Sequence, residues 1–372
     1  MKNCTVVIYF LMITLVGCAQ SIDQTINTPS AKTINAKLIV PELEIPWGFD
    51  FLPDGSLLLT EKKGTLLHFK DGKKAEIKGP PEVVVMGQGG LMDVKIHPDF
   101  VNNRWIYLSY ASSEGNGKGG NTAIMRAQLR NNQLSQQEVL YKAGPNSDKP
   151  YHFGSRLAFD DEGYLYFSIG DRGNRDENPQ DITKDCGKIY RLHDDGRIPS
   201  DNPFVNKKDA KKAIFSYGHR NPQGMTKHPE TGAIWIHEHG PRGGDELNVI
   251  AKGKNYGWPV ITYGINYSGT KITDETTKPG MEQPLYYWVP SIAPSGLAVL
   301  SSDKYPGWKS NVFAGSLAFQ YLERLVIENN KVVYREKLLD GMGRVRCVNQ
   351  GPDGLLYVGI EGKGIYRLDP VQ

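Results

Sequence analysis

Residues 155–171 read SRLAFDDEGYLYFSIGD: a short apolar run, an acidic turn with a glycine, and a second run rich in tyrosine and leucine. Asp and Gly tolerate the positive φ angles of tight hairpin turns, so this stretch predicts two antiparallel strands paired around Asp161–Gly163. The same pattern occurs at five other places. These are FDFLPDGSLLLTE (49–61), MDVKIHPDFVNNRWIYLSY (92–110), QGMTKHPETGAIWIHEH (223–239), VRCVNQGPDGLLYVGIE (345–361) and a degenerate copy, GLAVLSSDKYPGWKSNVFAGS (296–316).

The repeat length indicates the architecture. Six copies over about 330 residues give about 55 residues per unit, close to a four-stranded propeller blade with its loops. The 41 glycines and 23 prolines also favour short strands joined by tight turns. We therefore expect an all-β fold, a six-bladed β-propeller of four-stranded antiparallel blades, rather than an array of two-sheet sandwiches. Helical periodicity is almost absent, and KKDAKKAIFSYG (207–218) is the best candidate for a helix.

The N-terminus is typical of an export signal. Lys2 precedes the apolar run VVIYFLMITLV (6–16), which is short for a membrane span. The run ends in a stretch that resembles a bacterial lipobox, so residues 1–18 are predicted to be a lipoprotein-type signal peptide ending at Cys18. An ordinary signal peptide with an incidental cysteine is the alternative.

This assignment predicts where the protein resides. A lipid on Cys18 would anchor the exported, periplasm-facing protein to a membrane, and Ala19 favours the outer membrane. Residues 19–36 would form a polar tether, and residues 37–372 the propeller domain. Cys186 and Cys347 would then be the cysteines within the domain; a bridge between them is possible, but no disulfide framework is expected. The net charge of +3, with mixed signs, gives no basic field for nucleic acid.

The spacing between repeats points to the functional end of the propeller. Insertions concentrate in the third to fifth units, and these insertions contain most of the polar motifs. Loops at one end of a rigid β-scaffold are where binding and catalytic residues concentrate. We therefore expect the site on the rim of the central channel.

His152 and Asp171 flank the hairpin of the third unit. Their strands pair around Asp161–Gly163, so the open ends that carry these two residues should come close. A histidine held by an aspartate is a candidate general base, because the carboxylate fixes the tautomer and stabilises the imidazolium. The alternative is a surface histidine beside a solvated aspartate.

Several polar motifs predict ligand binding. Gln88 lies among glycines that allow a close approach of the backbone, although a flexible turn explains the same pattern. Arg220 and Asn221 adjoin the strand of the fourth unit. Arg344 and Arg346 would share one face of a strand and repel each other unless an anion lies between them. A polycarboxylate or phosphate ligand would supply that anion, and a solvated face is the equal alternative.

The segment EHGPRGGDELN (238–248) has the chemistry of a calcium site. It offers carboxylates at Asp245 and Glu246 together with many main-chain carbonyls. Hard oxygen ligands of this kind suit Ca²⁺ rather than zinc.

Seven motifs together resemble one family. They are GQGGLMDVKIHPDF, HFGSRLAFDDEGYLYFSIGDRG, GKIYRLHDDGRIPSDNPF, GHRNPQG, EHGPRGGDELN, NYGWPVITYGINYSG and GRVRCVNQGPDGLLYV. They are similar, in the same order over residues 38–370, to the soluble pyrroloquinoline-quinone (PQQ) dependent sugar dehydrogenases, above all to the aldose sugar dehydrogenase branch. The resemblance implies a six-bladed propeller that binds PQQ and Ca²⁺ over the channel mouth.

The resemblance also implies roles for individual residues. His152 would take the proton from the anomeric hydroxyl of an aldose, oriented by Asp171, while hydride passes from C1 to the C5 carbonyl of PQQ to give the lactone; an external electron acceptor would then reoxidise the cofactor. The other positions matched by the family's motifs are Gln88, Arg220, Asn221, Tyr267, Arg344 and Arg346 for PQQ, the carbonyls of Gly240 and Pro241 for its Ca²⁺, and Glu246 and Tyr256 for a second, structural calcium.

One departure from the family pattern concerns Ala318, which stands in GSLAFQYL where well-studied relatives carry a lysine that contacts PQQ. Losing one charge-assisted hydrogen bond to the cofactor would cost about 1.5–3 kcal/mol. Two other functions stay open at this point. One is a calcium-dependent propeller lactonase, and the other is a non-catalytic propeller that binds sugar or protein.

Overall fold

The computed structural model describes residues 34–371. Within them, 24 strands form six antiparallel sheets of four strands each, the blades of a propeller. The described part starts with β1 (Ile34–Pro41). Blade 1 is β2 (Pro46–Phe51), β3 (Leu57–Glu61), β4 (Leu66–Lys70) and β5 (Lys73–Glu76); blade 2 is β6 (Leu91–Ile96), β7 (Trp105–Ser112), β8 (Asn121–Arg130) and β9 (Gln133–Lys142); blade 3 is β10 (Leu157–Phe159), β11 (Leu165–Ile169), β12 (Lys188–Leu192) and β13 (Ile214–Tyr217).

The remaining blades follow the same order from inside to outside. Blade 4 is β14 (Pro222–Lys227), β15 (Ile234–Glu238), β16 (Asp245–Val249) and β17 (Tyr286–Trp288); blade 5 is β18 (Pro294–Val299), β19 (Val312–Ser316), β20 (Leu322–Glu328) and β21 (Lys331–Leu338); blade 6 is β22 (Val345–Gln350), β23 (Leu356–Ile360), β24 (Gly364–Pro370) and β1. The predicted fold class is confirmed. One helical turn, α1 (Phe100–Asn103), is the only helix in the described part.

The ring closes through its first and last strands. β1 pairs with β24, from Ile34 opposite Pro370 to Pro41 opposite Gly364. The strand thus begins three residues before the domain boundary predicted at residue 37, because residues 34–36 already pair with the C-terminal strand. The predicted signal peptide, Cys18 and most of the tether lie outside the described residues.

The predicted helix over residues 207–218 is wrong. Residues 214–217 form β13, the outer strand of blade 3, and pair with β12 from Lys188 opposite Tyr217. Blade 3 needs this fourth strand, and its tertiary pairing outweighs the local helical pattern. In the described chain no helix is long and apolar enough to cross a membrane.

The core consists of hydrophobic clusters between neighbouring blades. One cluster joins Leu58 and Leu66 of blade 1 to Val94 and Leu108 of blade 2, and similar clusters join the later blades. Central strands are therefore covered on both faces, which explains why β3 and β11 are buried along their whole length. Cys186 and Cys347 are free and buried in two different clusters.

Arg156, directly before β10, lies where all six blades meet. Its side chain is only 6% exposed and stacks on the Trp47 ring, 4.1 Å from the ring centre. The guanidinium bonds to one residue of the innermost strand of every other blade: Trp47 O (3.2 Å), Asp93 Oδ1 (3.3 Å), Gln223 O (2.8 Å), Ser295 Oγ (3.4 Å) and Arg346 O (2.8 Å). One cation thus holds together the starts of six strands.

Replacing Arg156 with leucine should therefore destabilise the whole ring. The change leaves the Asp93 carboxylate buried without its cation, and breaking a buried pair in this way costs about 3–5 kcal/mol. Urea unfolding measures the loss. As a matched control, Arg197→Leu removes an arginine that is 72% exposed and pairs with Asp195, so it should cost less than about 1 kcal/mol. Equal losses for the two variants would contradict the central role of Arg156.

Candidate active site

The predicted site residues lie at one end of the propeller. Arg156 contacts each innermost strand near its first residues, so these strands all start at the same face. Gln88, His152, Asn221 and Arg344 precede β6, β10, β14 and β22 in sequence. Segments from four blades therefore converge at the mouth of the central channel.

His152 and Asp171 meet there, as the hairpin geometry requires. His152 Nδ1 lies 2.6 Å from Asp171 Oδ1, and the two side chains are 13% and 1% exposed. The remaining Asp171 contacts are donors as well, the Gly173 amide at 2.6 Å to Oδ1 and the Trp258 indole at 2.9 Å to Oδ2. The carboxylate is thus locked by three donors, and the imidazole by the carboxylate.

The electrostatics of this pair favour a neutral imidazole beside an ionised carboxylate. Burial and the charge of Arg220 lower the pKa of His152, against the opposing effect of Asp171. Burial alone would raise the pKa of Asp171, but the hydrogen bond and charge of His152 and the charge of Arg220 hold it below its usual value. Nδ1 carries the shared proton in this state, so Nε2 is the nitrogen available as a base.

Gln88 and Asn221 hold the segment that carries His152. Gln88 Oε1 accepts a hydrogen bond from the His152 amide at 2.9 Å and lies 3.5 Å from Asn221 Nδ2. Asn221 Oδ1 accepts from the Gly154 amide at 3.1 Å. His152 itself has a φ of +60°, a left-handed conformation that is costly for a non-glycine residue, and these contacts maintain it.

The His152 ring opens into a cavity of about 570 Å³. Cations outnumber carboxylates in its walls: Lys149, Arg175 and Arg220 against Asp171 and Asp176. The other lining residues are Gln88, Tyr151, Gly173, Asn174, Pro241, Trp258, Asn266 and Tyr267. Tyr267 stands on the rim and is 74% exposed. The cavity therefore suits an anionic, partly planar ligand.

Arg344 and Arg346 do share a face, but the anion between them belongs to the protein. Glu361, which follows β23, accepts 2.6 and 2.8 Å hydrogen bonds from the Nε atoms of Arg344 and Arg346. Glu361 therefore supplies the anion that the sequence argument looked for between the two arginines, and their repulsion by itself gives no evidence for a bound polycarboxylate or phosphate.

Arg346 is nevertheless linked to the His152 pair. Its Nη1 donates to Gln223 Oε1 at 3.0 Å, and Gln223 Nε2 lies 3.4 Å from Gln88 Oε1, the atom that also binds the His152 amide. Burial lowers the pKa of Arg346, although Glu361 opposes this shift. Arg344 lies farther out, with 45% of its side chain exposed.

The predicted calcium turn at Gly240 and Pro241 lies beside the same cavity. The Gly240 amide donates to Asp245 Oδ1 at 2.8 Å, which fixes the turn. The Gly240 carbonyl accepts a hydrogen bond of 2.7 Å from Arg220 Nη1. In the described residues no group of three or more His, Cys, Asp and Glu side chains is placed to hold a metal ion. A cation here would depend on carbonyl oxygens.

A second acidic position lies behind this turn. Glu238 and Glu246 are directly opposite each other on β15 and β16, and Asn248 Nδ2 donates to both at 3.3 and 3.1 Å. Burial and then the charge of Glu238 raise the pKa of Glu246 to about 8. Asn248 Oδ1 has no partner in the described chain. The Glu238 oxygens also contact His219 Nδ1 at 2.8 Å and the Arg220 amide at 2.6 Å. Glu246 and the free Asn248 oxygen are therefore the less occupied donors, and oxygen donors are what a hard cation prefers.

Tyr256 is predicted as a calcium ligand with Glu246, but its side chain makes other contacts. Its hydroxyl donates to Val249 O at 2.6 Å and accepts from the Ala251 amide at 2.9 Å, and its ring stacks on His219. Only the main-chain oxygen of Tyr256 is therefore left for a cation.

The chain can now be compared with known protein families. The sequence profile of the glucose/sorbosone dehydrogenase family matches residues 43–367. The chain belongs to this family. It is 43% identical over 334 residues to the aldose sugar dehydrogenase YliI of Escherichia coli K12, a match that covers 88% of this chain and 90% of that one.

Two solved structures extend the comparison within the glucose/sorbosone dehydrogenase family. The soluble aldose sugar dehydrogenase of E. coli, in its apo form, aligns with a TM-score of 0.87 at 41% identity, covering 91% of this chain and 100% of that one. The PQQ-bound aldose sugar dehydrogenase of Streptomyces coelicolor aligns with a TM-score of 0.76 at 26% identity, covering 92% and 99%. The family assignment made from the seven motifs is confirmed.

Several residues of this dehydrogenase-family site were missed in the sequence. Trp258 orients Asp171, Gln223 connects Arg346 to Gln88, and Glu238 faces Glu246. Trp258 lies in the matched motif NYGWPVITYGINYSG, so its position was flagged but its partner was not. Glu238 and Glu246 lie in one motif, EHGPRGGDELN, but their pairing depends on the register of β15 and β16, which the motif alone does not reveal.

In the absence of divalent cations, the Glu246 carboxyl should make stability depend on pH. Its folded-state pKa of about 8 exceeds the ordinary 4.5, so the folded protein keeps a proton that the unfolded chain releases, and stability falls as pH rises through this window. Glu246→Gln should reduce that fall, as measured by urea unfolding with a chelator present. Calcium should restore stability at pH 8 in the wild type and in the control, but not in Glu246→Gln. Glu162→Gln, on an exposed turn, is the control, and an unchanged pH slope in Glu246→Gln would contradict the assignment.

Proposed function

We propose that this protein is a PQQ- and calcium-dependent aldose dehydrogenase that oxidises C1 of the sugar to the lactone. One observation carries the proposal: the neutral His152, locked by Asp171, opens into a cation-rich cavity of about 570 Å³. The general base would serve the oxidation of the sugar, and the cations of the cavity wall would serve the binding of a carboxylated quinone. Membership of the glucose/sorbosone dehydrogenase family supports the same reaction.

The cavity fits a quinone that carries three carboxylates. Arg220, Arg175 and Lys149 supply positive charge in its walls. Tyr267 offers an exposed aromatic face at the rim, and Gln88 lines the cavity beside His152. Asn221 is fully buried and lies behind Gln88 rather than in the cavity wall. Arg344 and Arg346 would add charge from the side of blade 6, shared with Glu361. PQQ would thus be held mainly by Arg220 and by cations that sequence matching did not assign.

The fit to calcium differs between the two predicted positions. Glu246 and the free Asn248 oxygen are donors of the right chemistry, beside a Glu238 carboxylate that already contacts His219 and the Arg220 amide. At the first position, the Gly240 carbonyl is already bonded to Arg220, so a cation there would share that oxygen with a guanidinium. We infer that an anion which draws Arg220 away would help the Gly240–Pro241 turn to accept Ca²⁺.

His152 performs the proton transfer in this proposal. Asp171 fixes the imidazole with Nδ1 protonated and Nε2 free to accept. As Nε2 takes the proton of the anomeric hydroxyl, the C1–O bond becomes the lactone carbonyl, and C1 releases its hydrogen as hydride. Asp171 stabilises the imidazolium that results. When bound, PQQ would accept the hydride at its C5 carbonyl, polarised by Ca²⁺, and an external electron acceptor would reoxidise the cofactor.

The test is reconstitution of the apoprotein. With PQQ and Ca²⁺ added, the wild type should reduce a redox dye when supplied with glucose or another aldose. His152→Ala should lose turnover by at least about 100-fold, because the base is removed, while its PQQ dissociation constant stays within a few-fold of the wild-type value.

Each result has a distinct meaning. Dye reduction that fails with every aldose, in folded protein that binds PQQ, would reject the dehydrogenase. Hydrolysis of a lactone without PQQ would favour the lactonase. Equal loss of turnover and PQQ affinity in His152→Ala would show that His152 binds the cofactor rather than acting as a base.

Ala318→Lys should tighten PQQ binding by about tenfold or more, the value of one charge-assisted hydrogen bond. Ala318 is exposed at the channel end, and Arg344 Nη1 donates to the carbonyl of its neighbour Leu317 at 3.1 Å. Titration of the apoprotein with PQQ measures the effect, and Ala318→Met is the neutral control of similar length. An unchanged dissociation constant would mean that Arg344 already supplies the missing charge.

A further inference from the structure

A second cavity, of about 270 Å³, lies beside the proposed active site between the loops of blades 2 and 3. We call it the Arg172 cavity, after its most unusual wall residue; Asn121, Ser147 and Cys186 also line it. Lys149 and Asn174 separate it from the cavity of His152, since both residues line both spaces. Nothing in the proposed reaction uses it.

Arg172 is buried without a carboxylate. It is 1% exposed, and its guanidinium lies over the Phe153 ring at 3.6 Å from the centre. Its hydrogen bonds all run to main-chain carbonyls, those of Tyr151, Gly120, Ser147 and Lys149. Its Nε is buried and has no partner in the described chain. Burying a cation costs several kcal/mol unless a counter-charge or full hydrogen bonding offsets it.

A second buried cation lies behind the same wall. Lys188 is fully buried, and its ammonium donates to the carbonyls of Asn178 and Cys186 at 2.5 and 2.7 Å. Both of those residues line the cavity. Burial lowers the pKa of Lys188 to about 8 and that of Arg172 to about 10. Two cations are therefore held at the wall by neutral carbonyl groups.

In the described chain no acidic group forms an ion pair with Arg172 or Lys188. Glu177 lines the cavity and pairs with Lys184 at 3.1 Å. Asp185 lines the cavity, but Tyr141, the Gly144 amide and Lys211 bond to its oxygens at 2.5, 3.0 and 3.1 Å. Asp171, next to Arg172 in sequence, is held by His152 and Trp258. Burial raises the pKa of the Cys186 thiol to about 11, so the sulfur is neutral at ordinary pH. Arg172 in the cavity wall and Lys188 behind it are therefore buried without an ion pair in the described chain, and the Arg172 Nε–H lacks an acceptor.

We propose that the Arg172 cavity binds a small anion, a halide or a carboxylate- or phosphate-sized oxyanion, which accepts a hydrogen bond from Arg172 Nε and balances the charge of Arg172 and Lys188. The volume is ample for such an ion. A cation is disfavoured by the two buried positive groups, and a neutral water would leave their charge uncompensated.

The anion would act on the neighbouring site through Arg172. The guanidinium holds the carbonyls of Ser147, Lys149 and Tyr151, which belong to the segment that leads to His152. An anion that fixes Arg172 thus stabilises this segment. Arg172 is a positioning residue in this account, since it does not line the cavity of His152.

The test uses the whole protein without PQQ, so its outcome does not depend on the proposed reaction. Chloride, phosphate and acetate are titrated separately, and the midpoint of thermal unfolding is followed. The sodium salt of the buffer is varied in the opposite sense so that the ionic strength stays constant. Binding to the folded state alone raises this midpoint with ligand concentration and defines an apparent dissociation constant. We expect such a dependence in the wild type, and the anion with the strongest effect distinguishes a halide site from an oxyanion site.

Two variants locate the effect. Arg172→Gln should lose the anion-dependent shift, while Arg197→Gln, the same charge change at an exposed position, should keep it. Should Arg172→Gln fail to fold, the wild-type crystal soaked in bromide decides: an anomalous peak within hydrogen-bonding distance of Arg172 Nε supports the proposal. No shift with any of the three anions beyond the ionic-strength baseline, the same shift in Arg172→Gln, or, where chloride gives the shift, an Arg172 cavity empty of bromide would overturn it.

Discussion

The six blades depend on a single buried guanidinium. Arg156 bonds to the first strand of all five other blades, and its one charged partner, Asp93, also accepts from the Leu157 amide at 3.0 Å. Such convergence requires close approach of the strands: a Cβ at Gly48 would lie 2.3 Å from Asp93 Oδ1, so only glycine fits there. Because the site residues directly precede these strands, the geometry of the site follows from the same contact.

The features that depend on a single hairpin, namely the blades and the His152–Asp171 pair, could be predicted from the local sequence. The turn at Asp161–Gly163 is built by the Asp160 carboxylate, which accepts the Tyr164 amide at 2.8 Å, and by Gly163 at a φ of +83°. Its two open ends place His152 beside Asp171. The fold and this pair therefore follow from turn chemistry and period, without knowledge of distant contacts.

What the sequence did not predict depends on pairing between segments far apart in the chain. Glu361 reaches both arginines because β22 and β23 pair with an irregularity between Val345 and Cys347, a feature invisible in either strand alone. Trp258 reaches Asp171 from a long insertion of blade 4. In the segment 207–218, residues 214–217 form β13 rather than a helix, because their pairing with β12 completes blade 3. In each case a tertiary contact decides the role of a residue whose local sequence favours another interpretation.

The charge of Arg220 affects how readily His152 accepts a proton. The Arg220 guanidinium donates to the carbonyls of His239 and Gly240 and to no carboxylate in the described chain, whereas the Arg220 amide donates to Glu238 Oε2 at 2.6 Å. The charge of the guanidinium lowers the pKa of His152. An anion that pairs with Arg220 weakens this effect and makes the imidazole a stronger base. Arg220 would therefore attract an anionic ligand, and binding of that ligand would in turn raise the proton affinity of His152. Asp171, held by its three donors, keeps the imidazole ring in place.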